Sequence, residues 1–132
     1  MARAPQPPLA YLDTHVALWL HDGLLEQLSS AAREVIAGAR LLLSPMVELE
    51  LAYLRESGRL ALDARRIIAG LEAALGMSRG AVPFADVVAA ALKLTWTRDP
   101  FDRLIVGEAI AANAVLLTRD SLIRRHYKRA VW

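Results

Sequence analysis

The sequence contains no cysteine and no long apolar run. The absence of cysteine excludes disulfide bonds and thiolate metal sites. No apolar segment approaches the roughly 18–20 residues that a membrane-spanning helix requires, so we expect no membrane segment. The N-terminal residues also lack the long apolar core of a secretory signal before Asp13. These absences together favour a cytoplasmic protein.

The composition predicts one domain preceded by a short leader. The chain has 132 residues, of which 55% are hydrophobic, which is enough for a single core. Three of the six prolines fall in residues 1–8, which we expect to be disordered, so the predicted domain covers residues 9–132. The net charge of +2 says little about nucleic acid. Basic side chains do crowd the last fourteen residues, either as a solvated helix or as a phosphate-facing patch: Arg119, Arg124, Arg125, Lys128 and Arg129.

Short apolar segments alternate with segments of helical periodicity. The apolar segments at residues 9–12, 41–43, 81–82, 115–117 and 130–132 predict strands. The intervening segments predict helices, several of them with a serine or aspartate at the N-cap position. The order β-α-α-β-α-α-β-α-α-β-α-β is typical of an α/β domain with a parallel sheet covered on both faces.

Four carboxylates come from separate segments of this predicted fold. Asp13 and Asp120 directly follow strands, Asp102 lies early in a helix, and Glu50 lies on the helix after the second strand. The carboxyl ends of parallel strands meet in one crevice, where ligands bind. Carboxylates clustered there raise one another's pKa unless a cation neutralises them. Oxygen ligands favour Mg²⁺ or Mn²⁺, and such a metal suits phosphodiester hydrolysis.

Each acid also has a purely structural interpretation. Asp13 and Asp120 follow strands and precede helices, so either can serve as a helix cap. Asp99 precedes a proline and can cap the helix that begins there. Glu48 competes with Glu50 on the same helix, and at about 100° per residue their side chains point about 200° apart.

Several motifs, taken together, resemble the PIN-domain family, and within it the VapC-type toxins of bacterial toxin–antitoxin pairs. The resemblance extends from Leu9 to Trp132. Its most distinctive parts are Asp-Pro-Phe-Asp-Arg-Leu-Ile at residues 99–105 and Leu-Thr-Arg-Asp at residues 117–120. The other parts are Tyr-Leu-Asp-Thr-His at 11–15, Ser-Pro at 44–45, Glu-Leu-Ala-Tyr-Leu at 50–54 and Gly-Arg-Leu at 58–60.

The resemblance implies a Mg²⁺- or Mn²⁺-dependent endoribonuclease with a three-layer α/β/α fold and a mainly parallel central sheet. It implies a homodimer and a cognate VapB-like antitoxin, which would cover the acidic pocket and supply DNA binding. The four acids of the family match Asp13, Glu50, Asp102 and Asp120, and the hydroxyl residues beside them match Thr14 and Thr118. The glutamate–apolar–alanine pattern favours Glu50 over Glu48, whereas Asp99 is either an outer ligand or a helix cap.

The arginines and the reaction leave alternatives open. Arg103 and Arg119 flank proposed ligands, and each either binds phosphate or pairs with the acids; Arg124 is a further candidate for RNA binding. The rival interpretations are a non-catalytic PIN-like scaffold and a Mg²⁺-dependent DNA nuclease or phosphatase. The sequence specifies neither the RNA nor the number of metal ions.

Overall fold

The computed structural model describes residues 6–132 and contains a five-stranded sheet flanked by helices. The strands are β1 (Leu9–Leu12), β2 (Arg40–Leu43), β3 (Ser78–Arg79), β4 (Val115–Leu117) and β5 (Ala130–Val131). The helices are α1 (Thr14–His21), α2 (Ser30–Gly38), α3 (Pro45–Glu56), α4 (Ala64–Leu75), α5 (Phe84–Ala91), α6 (Pro100–Ala111) and α7 (Ser121–His126). The strand order is β3-β2-β1-β4-β5 and every pairing is parallel, which confirms the predicted α/β class.

The central strands are apolar on both sides because helices cover both faces of the sheet. Residues 10–12 of β1 and 41–43 of β2 are buried without alternation. β1 and β4 pair in a register that sets Leu12 opposite Leu117, and the backbone N–H of Asp13 donates to Leu117 O at 3.0 Å. The residues that follow these two strands are therefore held side by side at one end of the sheet.

The helices begin where the predicted cap residues stand. The side chains of Ser29, Ser44 and Asp63 accept hydrogen bonds from the first turns of α2, α3 and α4. Pro45 occupies the first position of α3, where its missing N–H costs no hydrogen bond. Gly76 ends α4 in the left-handed conformation, at φ +64°. The cap at Ser44 and the proline at position 45 therefore fix the start of α3 directly after β2.

The predicted strand at residues 81–82 is wrong, because the third strand is Ser78–Arg79. The N–H of Gly80 donates to Leu43 O at 2.8 Å and ends the pairing, so residues 81–82 lie outside the sheet. A polar edge strand of two residues gives no apolar signal in the sequence. Its arginine instead forms an ion pair with Glu48 at 3.0 Å across the surface.

Helices α5 and α6 pack closely at Gly107. A Cβ atom at this position would lie only 2.9 Å from the carbonyl oxygen of Val87 and 3.1 Å from Ala91. Glycine therefore lets the two helices approach at a distance that a larger residue would prevent. This contact helps to fix α6, which carries Asp102 in its first turn.

The N-terminal leader that we predicted at residues 1–8 lies in part outside the described residues, which begin at residue 6. Residues 6–8 belong to no helix or strand, and the carbonyl of Pro8 accepts from the N–H of Arg40 at 2.9 Å. Within residues 6–132, none of the helices has the length and apolar character needed to cross a bilayer.

Candidate active site: an acidic crevice at the carboxyl ends of the strands

Asp13 is the most buried of the four acids, with 7% of its surface exposed. Its Oδ1 accepts a hydrogen bond from the Thr14 N–H at 2.8 Å, and its Oδ2 accepts one from Thr118 Oγ1 at 2.6 Å. Thr118 follows β4 and is fully buried, so the neighbouring strand orients the carboxylate. The sheet register thus positions the first acid directly.

Glu50 and Glu48 lie in different surroundings on α3. The hydroxyl of Thr14 donates to Oε1 of Glu50 in a short hydrogen bond, which joins Glu50 to the end of β1. Glu48 instead accepts from Arg79 at 3.0 and 3.2 Å, on the side of the edge strand. The helical geometry therefore separates the two glutamates, and only Glu50 lies beside the residues that surround Asp13.

Asp99 and Asp102 occupy the start of α6. Asp99 is the N-cap, and its Oδ1 accepts from the N–H groups of Phe101 at 2.8 Å and Asp102 at 3.3 Å. The carboxylate of Asp102 is half-buried and accepts no hydrogen bond from any residue in the range 6–132. The carboxylate of Asp102 thus has no hydrogen-bond donor among the described residues, although other acids lie near it.

The acids influence one another electrostatically. Burial, followed by the charges of Asp99, Asp13, Asp120 and Glu50, raises the pKa of Asp102 from its usual value to about 7. Burial also raises the pKa of Asp13, although its two hydrogen bonds oppose this, and it raises the pKa of Glu50, with Asp13 and Asp99 adding to the effect. Five acids from four segments therefore lie close enough to raise the pKa of one another.

Asp120 extends this neighbourhood into a pocket. It caps α7, where its Oδ1 accepts from the Ile123 N–H at 2.9 Å, and its side chain is exposed. A pocket of about 370 Å³ lies beside it, lined by Asp13, His15, Trp19, Arg119 and Asp120. Acidic, aromatic and guanidinium groups therefore line one opening at the sheet end.

The three predicted RNA-binding arginines have different environments. The guanidinium of Arg119 lies 5.9 Å from the ring centre of Trp19 and forms no hydrogen bond or ion pair within residues 6–132. Arg124 is exposed on α7. Arg103 instead donates to Ala91 O at 3.0 and 3.2 Å and to Leu92 O at 3.3 Å. Arg103 therefore binds backbone carbonyls at the carboxyl end of α5, whereas the sequence suggested that it binds phosphate or pairs with the acids.

The carboxylate oxygens of these acids are suitable ligands for a divalent cation, although the acids do not lie at the distances of a formed metal site. No group of three or more histidine, aspartate or glutamate side chains in the described part of the chain has the geometry of a metal site. The unpartnered carboxylate of Asp102 and the all-oxygen set are nevertheless the donors that Mg²⁺ and Mn²⁺ bind.

One polar residue near this region was missed in the sequence. Glu108 lies on the buried side of α6 with 4% of its surface exposed, and its Oε1 accepts from Ser44 Oγ at 2.8 Å. The available signal was a lone acid inside the apolar stretch of residues 104–112. A lone acid at such a position is a weak signal, because the sequence alone does not show that the acid is buried.

Comparison with known families assigns almost all of the chain to one family. The family model described as PIN domain matches residues 10–129, so the chain belongs to the PIN-domain family. Within that family it is similar to the VapC-type toxins. It is 35% identical over 118 residues to Ribonuclease VapC22 of Mycobacterium tuberculosis, and the match covers 87% of this chain and 89% of that protein.

Three solved structures share the fold. VapBC2 from Rickettsia felis, bound to a DNA fragment from its promoter, has a TM-score of 0.64 at 16% identity and covers 93% of this chain and 96% of its own. DNA-bound VapBC from Salmonella typhimurium has a TM-score of 0.58 at 19% identity, with coverages of 89% and 92%. VapBC-1 from nontypeable Haemophilus influenzae has a TM-score of 0.54 at 17% identity, with coverages of 92% and 91%. At these identities the likeness establishes the fold.

Proposed function

We propose that this protein is the toxin of a toxin–antitoxin pair and acts as a metal-dependent endoribonuclease that hydrolyses RNA phosphodiesters in the acidic crevice. The observation that carries the proposal is the half-buried, unpartnered carboxylate of Asp102, whose pKa is raised by burial and by four neighbouring acids. A cation bound beside such a group would stabilise its charged form at neutral pH. Similarity to Ribonuclease VapC22 supports RNA as the substrate.

The crevice residues divide into ligands and residues that hold them. Asp13, Asp102 and Asp120 would hold Mg²⁺ or Mn²⁺, with Glu50 as the fourth acid. A bound ion of this kind lowers the pKa of a coordinated water and stabilises negative charge on a phosphate. Thr118 orients Asp13 through its hydroxyl, as Thr14 orients Glu50, and each acid keeps lone pairs for a further contact. Asp99 adds charge from the cap of α6.

The basic residues at the rim bind the RNA backbone. Arg119 lines the same pocket as Asp13 and Asp120, and its N–H groups are uncommitted to other side chains of residues 6–132. Trp19 restrains the guanidinium through a cation–π contact, which leaves the donors directed to a ligand. Arg124 extends the basic surface along α7. Arg103 stays in a structural role at α5.

The partners follow from the relatives. The three solved structures are VapBC assemblies, which supports a VapB-like antitoxin as partner. Two of them are bound to DNA, and we expect this protein to reach DNA only through the antitoxin. A homodimer is supported by exposed apolar side chains at α5, where Phe84 is 70% and Leu92 is 67% exposed. We place residues 9–132 in a single PIN domain and the protein in the bacterial cytoplasm.

Cleavage of labelled total RNA by the purified protein tests the function. Mg²⁺ or Mn²⁺ should produce discrete fragments, and EDTA or the substitution Asp102→Asn should abolish them. Asp63→Asn is the matched control, because asparagine also caps helices and Asp63 lies at α4 rather than in the crevice. Equal cleavage by Asp102→Asn would refute the site.

The same assay separates the rival functions. Metal-dependent cleavage of DNA, or release of phosphate from a phosphomonoester, with no cleavage of RNA would identify a DNA nuclease or a phosphatase. No reaction with any of these substrates, together with no binding of Mn²⁺, would favour a non-catalytic scaffold.

A further inference from the structure

Glu108 is a buried acid that the proposed chemistry does not use. It lies on α6, six residues after Asp102 and therefore about 9 Å further along the helix axis. Only 4% of its surface is exposed, and no arginine, lysine or histidine forms an ion pair with it within residues 6–132. Its Oε2 is buried and lacks a hydrogen-bond partner. Retaining such a group in a core carries a cost that an apolar residue would avoid.

Neighbouring residues approach the carboxylate of Glu108 from two sides. Oε1 accepts from Ser44 Oγ at 2.8 Å, while Ser44 Oγ itself accepts from the Met46 N–H at 3.1 Å. On the other side, a Cβ atom at Gly80 would overlap Glu108 Oε2 and lie 2.5 Å from the hydroxyl oxygen of Tyr11. Burial and the neighbouring Glu108 both raise the pKa of Tyr11. A side chain at position 80 would therefore displace Glu108 or Tyr11.

These contacts join the elements that carry three of the four crevice acids. Tyr11 lies in β1, two residues before Asp13. Ser44 is the N-cap of α3, six residues before Glu50. Glu108 lies on α6 behind Asp102. The carboxylate of Glu108 on α6 thus contacts both β1 and α3. None of the four crevice acids takes part in these contacts.

We infer that Glu108 is a positioning residue, which fixes α6 against α3 and β1 so that Asp102 and Glu50 lie opposite Asp13. The inference rests on the proposed function for its consequence in catalysis, but the effect on the crevice is testable by metal binding alone. Hydrogen bonds are directional, whereas apolar packing tolerates sliding between helices, which explains why a polar group is kept here. Glu108 touches neither metal nor RNA.

Two substitutions of similar size separate positioning from packing. Glu108→Gln keeps an acceptor for Ser44, whereas Glu108→Leu fills the space without one. Measured by Mn²⁺ titration, Glu108→Leu should weaken metal binding roughly tenfold and Glu108→Gln by less than about threefold, as residues that orient metal ligands do. In RNA cleavage the loss should fall on kcat, with KM for RNA unchanged.

Two further variants keep the test decisive if Glu108→Leu does not fold. Tyr11→Phe combined with Glu108→Leu removes both of the polar groups that lie beside Gly80, and Ser44→Ala breaks the hydrogen bond from the α3 side. Each should fold and weaken Mn²⁺ binding in the same direction. Wild-type Mn²⁺ affinity in a folded Glu108→Leu, double or Ser44→Ala variant would overturn the inference. Failure of the wild type to cleave RNA while it still binds Mn²⁺ would instead overturn the proposed function.

Discussion

Asp102→Asn should make the protein more stable while it abolishes activity. The pKa of Asp102 is raised to about 7 in the folded protein by burial and by four acidic neighbours. Between its ordinary value and 7, the folded state holds a proton that the unfolded chain has released. The free energy of unfolding therefore falls as the pH rises through this window. Asparagine keeps the shape of the side chain and removes the charge that lowers the free energy of unfolding.

The magnitude follows from the pKa and the exposure of the side chain. At about 1.4 kcal/mol per pKa unit, the change from 3.8 to about 7 would cost about 4 kcal/mol in a fully buried site. Asp102 is only half-buried, so solvent screening reduces the expected gain to about 1–2 kcal/mol at pH 8. In a domain of this size that corresponds to about 3–8 °C in Tm.

Thermal and urea unfolding at pH 5 and pH 8, in EDTA and in Mn²⁺, measure the effect. In EDTA the advantage of the variant should be largest at pH 8 and smaller at pH 5, where Asp102 of the folded wild type keeps its proton. Mn²⁺ at a hundred times its Kd should stabilise the wild type by about 2.7 kcal/mol at pH 8 and the variant by less. A variant less stable than the wild type in EDTA at pH 8 would refute the reasoning, as would a gain independent of pH.

Substitutions at four further positions test separate parts of the account. Thr118→Val removes a donor from Asp13, so it should raise the pKa of that acid further and weaken Mn²⁺ binding about tenfold by calorimetry; full affinity would contradict this. Arg119→Gln should raise KM for RNA and reduce the slope of log affinity against log salt by about 1, as expected for the loss of one phosphate contact. Arg119→Lys keeps the charge, so its KM and its salt slope should stay close to those of the wild type. Gly80→Ala should lower the free energy of unfolding by about 1–3 kcal/mol in urea, because its methyl group has no space; a neutral result would show that the core yields there. Asp63→Ala should cost about 1 kcal/mol through loss of a helix cap, with kcat unchanged.

Most of the fold could be predicted because its signals are local. Buried parallel strands appear in the sequence as short continuous apolar runs, such as residues 41–43. A serine followed by a proline indicates the start of α3. β3 escaped prediction because Ser78–Arg79 is a polar edge strand. Its place depends on backbone pairing with Leu43 and on the ion pair between Arg79 and Glu48, and neither leaves a pattern in the sequence.

The clustering of Asp13, Asp102 and Asp120 could be predicted from their places after strands and at the start of a helix, whereas Glu50 was preferred to Glu48 through the family resemblance. Their partners could not, since the hydrogen bond from Thr118 to Asp13 joins residues 105 positions apart. The binding of Arg103 to carbonyls of α5 likewise depends on how two helices pack. Glu108 was overlooked because an acid on an apolar helix is distinguishable from a surface residue only when its burial is known.

Crystals grown with Mn²⁺ test the central claim most directly, since anomalous scattering locates the ion without reference to activity. The account predicts a peak in the crevice, about 2.1 Å from carboxylate oxygens of Asp13, Asp102 and Asp120, the distance usual for such ligands. It also predicts that Asp102→Asn crystals lose or weaken this peak. A crevice without a peak at saturating Mn²⁺, or a peak that coordinates none of these acids, would contradict the account.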